Sequence, residues 1–369
     1  MFDQKITKGT TVAIGLSGGV DSSVAAALLK EKGYAVRGLS MQIFDGSLKI
    51  KAGDKHACYG PGEIEDLETA EAVCEKLDIP FDAVDLREEY RAHVIDHFRD
   101  EYLAGKTPNP CIACNRRLKF GFLVDKAKNS GVDFEFFATG HYARIEKSGR
   151  RYLLKMAADR SKDQSYFLYT LSPEQLSHTL FPLGGHTKNE VREIARMMGL
   201  ITAERSESQD FIAGGDYSLF FDKNEVTAGE IVDEKGKVIG KHPGIIHYTV
   251  GQRRGLGIAA GRPLYVVKID AENNRIFVGG RESLYCRGLI AKNINLIAIE
   301  KLDRPYRGKV KIRLNSSAVE ATLSPYGSGK AKILFDHPQM SVTPGQHAVF
   351  YSEDTVIGGG VIEKAVGLR

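Results

Sequence analysis

A glycine-rich turn lies between an apolar strand and a helix near the start of the sequence, and it constrains the fold more than any other segment. The turn reads Gly15-Leu16-Ser17-Gly18-Gly19-Val20-Asp21-Ser22, after the apolar run Thr11–Ile14 and before a predicted helix over Ser22–Lys32. Because glycine has no Cβ, the backbone of such a turn approaches a bound group closely. The amides that begin the helix point at that group, and the helix dipole favours an anion there. The turn therefore predicts a pyrophosphate site with ATP as its ligand.

Three side chains of the turn suit the same chemistry. Ser17 and Ser22 add hydroxyl donors, and Asp21 adds a carboxylate of the type that holds Mg²⁺ against phosphate oxygens. The turn is not a Walker A loop, because it contains no lysine that would reach the β- and γ-phosphates. SGGVDS after a strand instead resembles the PP-loop ATP pyrophosphatases, which cut ATP between the α- and β-phosphates and transfer AMP to an oxygen.

The remaining pattern predicts an α/β domain followed by β structure. Up to about residue 200, short apolar runs alternate with helical stretches, which is typical of a parallel sheet covered on both faces. Predicted strands are Thr11–Leu16, Ala35–Ile43, Phe81–Asp85 and Phe136–Thr139. Predicted helices are Ser22–Lys32, Ile64–Leu77, Glu88–Ala104, Arg117–Asn129 and Lys188–Met198. Later segments are short β runs with Gly and Asn turns, which favour small β domains and a terminal barrel.

We therefore expect three domains. Residues 1–210 form the α/β catalytic domain, with a parallel sheet and a PP-loop and similar to the adenine nucleotide alpha hydrolases. Residues 211–285 form a small central β-rich domain, and residues 286–369 form a C-terminal β-barrel. The length of 369 residues is ample for two or three hydrophobic cores.

Composition excludes several classes of protein. There is no apolar run of membrane-spanning length, and the N-terminus lacks an apolar signal core, so we expect a cytoplasmic protein without a membrane partner. Because we do not expect the protein to be exported, we interpret the five cysteines as thiols, metal or cluster ligands, or catalytic groups rather than as a disulfide framework. A formal net charge of +4 does not identify a nucleic-acid binder but permits one where basic residues cluster.

A second strong feature is the cysteine segment Thr107-Pro108-Asn109-Pro110-Cys111-Ile112-Ala113-Cys114-Asn115. Its two prolines predict a stiff loop outside regular structure, leading into a basic helix that begins at Arg116. Cysteines near a helix N-terminus and arginines are expected to have a lowered pKa, which favours the reactive thiolate. The C-x-x-C spacing suits a reversible disulfide, half of a zinc site, or two ligands of an iron–sulfur cluster.

Zinc is disfavoured, because the sequence has no second ligand pair of this spacing. Of the other cysteines, Cys74 within a predicted helix and Cys286 read as structural. Cys58 also reads as structural, although its Gly-rich surroundings would let it reach the site.

The turn and the cysteine segment together resemble the tRNA-specific 2-thiouridylases. Further stretches with the family's pattern follow in the same order: Ala138-Thr139-Gly140-His141-Tyr142, Lys162-Asp163-Gln164-Ser165-Tyr166-Phe167-Leu168, His247-Tyr248-Thr249-Val250-Gly251-Gln252-Arg253-Arg254-Gly255-Leu256-Gly257 and Val342-Thr343-Pro344-Gly345-Gln346. The resemblance covers nearly the whole chain.

The resemblance implies a sulfurtransferase acting on uridine 34 in the anticodon arm of tRNA. ATP with Mg²⁺ would adenylate the C2 oxygen of the uracil, and sulfur from a donor protein or sulfide would displace AMP. By the family pattern, the turn from Gly15 to Ser22, Met41 and Gly140 would contact ATP, and Cys114 would be the nucleophile, assisted by Cys111. The positions implied to touch tRNA are Asn109, Pro110, Cys111, His141, Lys162, Asp163, Gln164, Arg313, Leu314 and Gln346.

One departure from the family pattern leaves the sulfur route open. Where the family commonly has a second cysteine after a Ser-rich stretch, this chain has Ile212, and isoleucine neither carries sulfur nor binds iron. One hypothesis is a [4Fe–4S] cluster on Cys111 and Cys114, with Asp210 or Cys58 as the third ligand. The other is a persulfide and disulfide relay in which Cys111 replaces the missing partner.

Two other functions compete with this interpretation. Another PP-loop enzyme would modify a different base or use ammonia, but an amidating ligase needs no thiol at the base. A tRNA-binding paralogue without sulfur transfer would have no need for the intact SGGVDS turn.

Overall fold

The computed structural model describes residues 7–48, 50, 57–206 and 210–368. Its strands are β1 (Thr11–Gly15), β2 (Ala35–Gln42), β3 (Ala57–Tyr59), β4 (Phe81–Asp85), β5 (Phe136–Thr139), β6 (Ala143–Ser148), β7 (Arg151–Met156), β8 (Thr179–Leu180), β9 (Asp210–Ile212), β10 (Gly229–Val232), β11 (Val238–His242), β12 (Tyr265–Asp270), β13 (Arg275–Gly279), β14 (Tyr285–Leu296), β15 (Tyr306–Lys311), β16 (Val319–Pro325), β17 (Lys330–Met340), β18 (His347–Ser352) and β19 (Thr355–Val366).

The α-helices are α1 (Val20–Glu31), α2 (Glu63–Leu77), α3 (Arg87–Tyr90), α4 (Asp96–Leu103), α5 (Pro110–Ala113), α6 (Leu123–Asn129), α7 (Ser165–Leu168), α8 (Pro173–Ser177) and α9 (Lys188–Met197). Two segments are π-helical, Arg91–Ile95 and Cys114–Phe122. Short 3-10 turns occupy Ala213–Gly215, Tyr217–Phe220, Ile245–His247 and Arg281–Leu284. No helix in the described part of the chain is long and apolar enough to cross a membrane.

The chain divides into two compact units. The first comprises Met1–Val94, Cys111–Asp216 and Asp354–Val356, and the second comprises Ile95–Pro110, Tyr217–Glu353 and Ile357–Arg369. This division does not test the expected domain boundaries near residues 210 and 285, which stay predictions.

A five-stranded parallel sheet organises the first unit, in the order β4-β2-β1-β5-β8. The central strand β1 is apolar because it is covered on both faces, and Val12, Ala13 and Ile14 are fully buried. Helices α1 and α9 contribute to the same apolar core through Val24, Leu29, Val191 and Ala195. The register pairs Gly15 with Thr139, so β1 and β5 end at the same edge of the sheet. The predicted α/β class with a parallel sheet is confirmed.

The second unit is mostly β structure, as predicted. A four-stranded sheet has the order β11-β10-β13-β12. Strands β14-β17-β16-β15-β18-β19 form a six-stranded barrel that closes by pairing β14 with β19. Alternating side chains such as Leu289, Val310, Leu323, Ile333 and Phe350 fill its interior.

The four predicted strands lie within one residue of their observed ends, whereas several helices differ. Helix α1 begins at Val20 rather than at Ser22, and it ends at Glu31 before Gly33, whose φ is +80°. The expected helix Glu88–Ala104 is instead α3, a π-helical segment and α4 in succession. The β6–β7 hairpin was not predicted, although its alternating residues around Ser148-Gly149 carry a hairpin signal.

The expectation that both cysteines of the C-x-x-C pair lie in an irregular loop was wrong. Helix α5 begins at Pro110, and the π-helical segment continues from Cys114, so both cysteines are helical. Proline is compatible with the first position of a helix, because the amide hydrogen that it lacks would have no partner there. The loop therefore ends six residues before the expected helix start at Arg116.

Candidate active site

The glycine-rich turn is shaped by its own hydrogen bonds. Gly18 has φ of +68°, and a Cβ there would lie 2.6 Å from the carbonyl oxygen of Asp66, so only glycine fits. The Ser22 hydroxyl accepts from the amide of Ser17 at 3.2 Å and donates to the carbonyl oxygen of Gly19 at 3.1 Å. These bonds fix the turn in one conformation over the end of β1.

The first turn of α1 presents backbone amides without a side-chain cap. Gly19 is the N-cap residue in extended conformation, and it has no side chain that would accept from these amides. Such a helix start combines free amide donors with the positive end of the helix dipole. This geometry suits the predicted phosphate site.

Asp21 is held by two residues from outside the turn. Its Oδ1 accepts a hydrogen bond from the Tyr142 hydroxyl at 2.8 Å. The Lys188 ammonium lies 2.8 Å from Oδ1 and 2.9 Å from Oδ2 of the same carboxylate. Sequence reasoning missed Lys188, which lies 167 residues away. One sequence signal could have drawn attention to Lys188. The capping box of Thr187 and Glu190 marks the start of a helix, and the helix dipole disfavours a lysine at that position.

Arg205 fixes the other end of the turn. Its guanidinium donates to the carbonyl oxygen of Gly18 at 2.9 Å and to the Asp66 carboxylate at 2.7 Å. The Arg205 side chain is 12% exposed, so this pair is shielded from solvent. The sequence near Arg205 did not indicate this role, because the partners of Arg205 lie in the glycine-rich turn and in α2.

Gly140 and Met41 were both expected to contact ATP; Gly140 directly follows β5, and Met41 lies within β2. A Cβ at Gly140 would lie 2.7 Å from the amide nitrogen of Ser22, so β5 and α1 touch through backbone alone. Met41 lies in β2, two strands from β5. The loop after β2 is held by the Glu63 carboxylate, which accepts from the amides of Ile43 at 2.7 Å and Phe44 at 3.0 Å.

His141 follows Gly140 and lies inside the first unit. It is 8% exposed, and its Nδ1 is 2.7 Å from the Thr139 hydroxyl. Burial lowers the pKa of His141 well below its ordinary value, and the charge of Lys119 lowers it further. The ring is therefore neutral near pH 7, and its expected contact with tRNA stays a prediction.

The cysteine segment continues into an unusual helix. In a π-helix each amide bonds to the carbonyl five residues earlier, and such segments are frequent at functional sites. This geometry places Lys119 one turn after Cys114. The side-chain amide of Gln175 donates to the Phe120 carbonyl oxygen at 2.7 Å, which supports the irregular turn from outside.

The Cys114 thiol is not activated in the way that the sequence suggested. Burial raises its pKa to about 11, while the charge of Lys119 opposes this shift and the neighbouring Cys58 adds to it. The expected lowering of the pKa is therefore wrong for Cys114, because desolvation of the thiolate outweighs the nearby positive charge. Cys111 is exposed, and Cys114 is partly exposed.

Cys58 lies closer to this site than the sequence indicated. It is an exposed residue in β3, whose parallel partner β9 places Tyr59 opposite Ile212. Tyr59 stacks on the buried Tyr90 with ring centroids 5.3 Å apart. Burial raises the pKa of Tyr90, and Cys114, Cys58 and Cys111 raise it further, so all three cysteines lie near this one tyrosine.

The other two cysteines have structural surroundings, as expected. Cys74 is 1% exposed within the core of the first unit, and Cys286 is half-buried at the start of β14. Among the described residues, no three His, Cys, Asp or Glu side chains are arranged to hold a metal ion. Asp210 begins β9, but its side chain lies outside the described part of the chain. The hypothesis of a cluster on Cys111 and Cys114, with Asp210 or Cys58 as the third ligand, therefore stays a prediction.

A continuous set of neighbours connects the turn to Cys114. Gly140 contacts the backbone of Asp21 and Ser22, and His141 follows it in the chain. The ring of Phe120, which belongs to the same π-helical segment as Cys114, lies 6.2 Å from the His141 ring, measured between centroids. The predicted phosphate site and the predicted nucleophile thus lie in one region of the first unit.

Several residues implied to touch tRNA have internal hydrogen bonds. In the first unit, Asp163 accepts from the Ala157 amide at 2.9 Å and the Ser165 hydroxyl at 2.8 Å. Gln164 accepts from the Tyr142 amide at 2.9 Å. These two side chains organise the segment around Lys162, whose contact with tRNA remains a prediction.

In the second unit, Gln346 and Arg313 also bind backbone carbonyls. The Gln346 amide donates to the carbonyl oxygen of Thr107 at 2.9 Å and so supports the loop that carries Asn109 and Pro110. Arg313 donates to the carbonyl oxygens of Val250 at 2.9 Å and Ser341 at 3.1 Å. Leu314 beside it is half-buried.

Replacing Gly140 by alanine tests the contact between β5 and α1. The added Cβ has no space beside the Ser22 amide, so Gly140→Ala should displace the first turn of α1 and weaken ATP binding. We expect a loss of about 1–3 kcal/mol in the free energy of unfolding. Calorimetric titration with ATP and thermal unfolding measure the two effects. The control is Gly62→Ala, which meets no atom within 4 Å; equal ATP affinity in both variants would contradict the assignment.

The ionisation of Cys114 predicts slow alkylation at neutral pH. Because its pKa is about 11, the thiolate is scarce at pH 7, and the rate should rise about tenfold per pH unit towards pH 10. Lys119→Met should slow the reaction at fixed pH, since it removes the charge that stabilises the thiolate, whereas Lys119→Arg should not. The rates are measured by peptide mass spectrometry with iodoacetamide.

The matched control for this experiment is Lys128→Met, which removes a lysine that lies over the Phe134 ring. A Cys114 rate that is flat between pH 7 and pH 9 would show that the thiol is already ionised.

Comparison with known proteins agrees with this geometry. Residues 10–213, 221–280 and 286–362 match family models described as a tRNA methyl transferase HUP domain, a tRNA methyl transferase PRC-barrel domain and an aminomethyltransferase beta-barrel domain. Among solved structures, a 4-thiouridine synthetase in complex with RNA and ATP matches 56% of this chain and 46% of its own. Its identity of 18% and TM-score of 0.37 are too low to support an inference about function.

Curated relatives match over nearly their whole length. The tRNA-specific 2-thiouridylase MnmA of Acetivibrio thermocellus is 47% identical over 362 residues, covering 95% of this chain and 99% of the relative. Relatives of the same name from Clostridium perfringens and Clostridioides difficile are 45% and 46% identical; they cover 95% and 96% of this chain and 98% of each relative. With this identity over almost the full length, the chain belongs to the family of tRNA-specific 2-thiouridylases.

Proposed function

We propose that this protein is an ATP-dependent tRNA sulfurtransferase that converts uridine 34 to 2-thiouridine. The observation that carries the proposal is the set of neighbours from Asp21 through Gly140, His141 and Phe120 to the π-helical segment that begins at Cys114. A phosphate-binding turn and a thiol in one region suit a reaction in which an oxygen is first activated and then displaced by sulfur. We keep the cytoplasm, where tRNA is modified, as a prediction for its location.

Activation requires ATP and Mg²⁺ at the turn. The C2 oxygen of uracil is a poor leaving group until it carries AMP. In the proposed step this oxygen attacks the α-phosphorus, the bond to the β-phosphate oxygen breaks, and pyrophosphate leaves with the electron pair. The amides of the first turn of α1 and the Ser17 and Ser22 hydroxyls would hold the phosphates, and the Asp21 carboxylate would hold Mg²⁺.

The target base has to leave the anticodon stack to reach this site. Enzymes that act on a base inside a structured nucleic acid extrude it into a pocket. Asn109 and Pro110 are the proposed contacts of the extruded base. Lys162, Asp163, Gln164, His141, Arg313, Leu314 and Gln346 are the proposed positions along the tRNA backbone. Lysine and arginine would supply the salt-dependent part of the binding.

Sulfur transfer needs a second thiol besides Cys114, and Cys58 is our candidate. Ile212 provides no thiol, but the strand paired with it places Cys58 next to Tyr59, the register partner of Ile212. Cys58 is exposed to a donor, and its charge affects the pKa of Cys114. A thiol from the adjacent strand thus replaces the family's second cysteine. Among the described residues no three such side chains are arranged to hold a metal ion, and we derive no step through a cluster.

Two cysteines carry the sulfur in the proposed relay. The Cys58 thiolate attacks the terminal sulfur of a donor protein's cysteine persulfide, and the donor thiolate leaves. Cys114 takes this sulfur from Cys58, and the resulting persulfide attacks C2 of the adenylated uracil, so that AMP departs with the electrons of the C–O bond. The Cys58 thiolate then attacks the Cys114 sulfur, which leaves 2-thiouridine and a Cys58–Cys114 disulfide. A dithiol reductant restores both thiols.

The alternatives differ in product. A thiolase for another base would leave 2-thiouridine unchanged, and a binding paralogue would leave all tRNA unmodified. The family-model descriptions mention methyl transfer, but a reaction of that kind has no use for a thiol beside a pyrophosphate site.

Nucleoside mass spectrometry of tRNA tests the proposed function. Cells that lack this protein should lose 2-thiouridine derivatives, and the gene for the wild-type protein should restore them. Cys114→Ala should give no product while ATP binding persists, and the control Cys286→Ala should restore the nucleoside fully. Unchanged 2-thiouridine together with the loss of another thionucleoside or a methylated base would contradict the proposal.

Disulfide mapping after turnover tests the sulfur route. With a persulfide donor and no reductant, the wild-type protein should accumulate the Cys58–Cys114 disulfide. The variant Cys58→Ala should lose multiple turnover, whereas the control variant Cys286→Ala should keep it. A Cys111–Cys114 disulfide would transfer the role to Cys111. A brown protein after anaerobic purification, whose activity is lost with its iron, would instead favour a cluster.

A further inference from the structure

The segment that carries Asn109 and Pro110 belongs to the second unit, although its place in the sequence is among the elements of the α/β domain. Residues 95–110 are part of the second unit, and the chain enters the first unit again at Cys111. The two proposed contacts of the target base are therefore held by the mostly β unit of the protein. The contacts that hold them there have no part in the chemistry proposed above.

Two apolar contacts seat this segment on the second unit. The Phe98 ring in α4 lies 5.5 Å from the Tyr217 ring and 5.8 Å from the Phe220 ring, measured between centroids. After α4, a Cβ at Gly105 would lie 3.0 Å from the Ile269 side chain in β12, so the backbone lies directly against that strand. The chain is thus held against the second unit before it reaches the base-contact residues.

The barrel turn, residues 344–346 between β17 and β18, binds the backbone of the same segment. The Thr107 amide donates a hydrogen bond to the Pro344 carbonyl oxygen at 2.9 Å. The Gln346 side-chain amide donates to the Thr107 carbonyl oxygen, also at 2.9 Å. Between these two residues, Gly345 has φ of +88°, and a Cβ there would lie 2.9 Å from the Thr107 amide nitrogen. Only glycine therefore allows the barrel turn to approach the segment this closely.

The stretch His247–Gly257, which carries part of the family resemblance, supplies a further contact. Its Thr249 hydroxyl accepts a hydrogen bond from the Thr107 hydroxyl at 3.2 Å. The Gln252 side-chain oxygen accepts from the Thr249 amide at 3.0 Å and so fixes the position of Thr249. The amide, the carbonyl oxygen and the hydroxyl of Thr107 are thus all bound by groups of the second unit.

Fixing Thr107 also restricts the residues that follow it. Pro108 and Pro110 each have a fixed φ, and each limits the backbone of the residue before it, which is Thr107 or Asn109. With so few free dihedral angles between Thr107 and Pro110, the position of the first determines the position of the last. A hydrogen bond made at Thr107 therefore acts on the two proposed contacts of the base.

We propose that the barrel turn and Thr249 position the target base by fixing the conformation of residues 107–110. They act through Thr107, and we assign them as positioning residues rather than catalytic ones. Binding of the tRNA by the β domains and placement of the uracil then depend on one set of contacts within the second unit. The inference rests on the proposed function, because that function assigns Asn109 and Pro110 to the base.

Replacing Gly345 separates this role from affinity for tRNA. Because an added Cβ would displace the Thr107 amide, Gly345→Ala should lower the single-turnover rate at saturating tRNA about 10- to 100-fold, as expected for a misplacement near 1 Å. The Kd for tRNA should stay unchanged, since no basic residue that binds the RNA backbone is removed. The rate is measured by nucleoside mass spectrometry and the Kd by filter binding.

The matched control is Gly327→Ala in another turn of the barrel. Gly327 has φ of +69°, so alanine meets similar backbone strain there, but no atom lies within 4 Å of the added Cβ. This variant should keep both the rate and the affinity of the wild type. Equal losses of rate in the two variants would show that strain in the barrel alone is responsible, and the inference would be wrong.

Thr249→Val tests the same role without backbone strain, and it decides the matter if Gly345→Ala does not fold. Valine has nearly the shape of threonine but cannot accept the hydrogen bond of the Thr107 hydroxyl. The rate at saturating tRNA should fall about fivefold, which corresponds to one neutral hydrogen bond, and Thr249→Ser should restore it. A weaker Kd for tRNA with an unchanged rate would make Thr249 an RNA contact and overturn the inference.

Alkylation of Cys114 without tRNA separates an effect on the base from an effect on the thiol. Its rate in Gly345→Ala and Thr249→Val should equal that of the wild type. An altered rate would show that residues 107–110 position the thiol instead, against the inference. Failure of the proposed function looks different, because a wild-type protein that binds tRNA but forms no 2-thiouridine would overturn that function. An active wild type with full rates in both variants would overturn only this inference.

Discussion

The contact between the backbone of Gly140 and the first turn of α1 is the constraint on which the rest of the site depends. A Cβ at Gly140 would lie 2.7 Å from the Ser22 amide, so the end of β5 and the start of α1 meet with no side chain between them. The parallel sheet makes this possible, because β1 and β5 end at the same edge. His141 follows Gly140 in the chain, and its ring lies 6.2 Å from that of Phe120 in the π-helical segment that begins at Cys114.

Burial has opposite effects on the glycine-rich turn and on the Cys114 thiol. It strengthens the attraction between fixed charges, which favours phosphate binding at the turn. It also raises the pKa of Cys114 to about 11, because a thiolate loses its hydration there. Lys119 offsets part of that cost from one helical turn away. The free thiol is thus mostly protonated near pH 7.

Features that follow from the local sequence pattern were predicted, whereas features that depend on contacts between distant segments were missed. Val12 to Ile14 and the glycines after them follow from local pattern, and so the parallel sheet and the phosphate turn were predictable. A helix over Arg117–Asn129 was predicted, but its start at Cys114 and its π-helical geometry were not. The Phe120 carbonyl in this segment accepts a hydrogen bond from Gln175, which lies 55 residues away in the sequence. The raised pKa of Cys114 depends on atoms that surround it only in the folded chain. Lys188 and Arg205 also contact the glycine-rich turn from distant segments, so no spacing within the sequence identified them.

Ion pairs at the turn link its stability to its ligand. Removing one member of a buried pair leaves an uncompensated charge, which costs about 3–5 kcal/mol, whereas exchanging one counter-ion for another costs far less. Asp21 with Lys188 and Arg205 with Asp66 each keep a charge compensated within the first unit. Both pairs flank the turn at which we propose that ATP binds. The charges around this turn are therefore compensated by the protein's own residues.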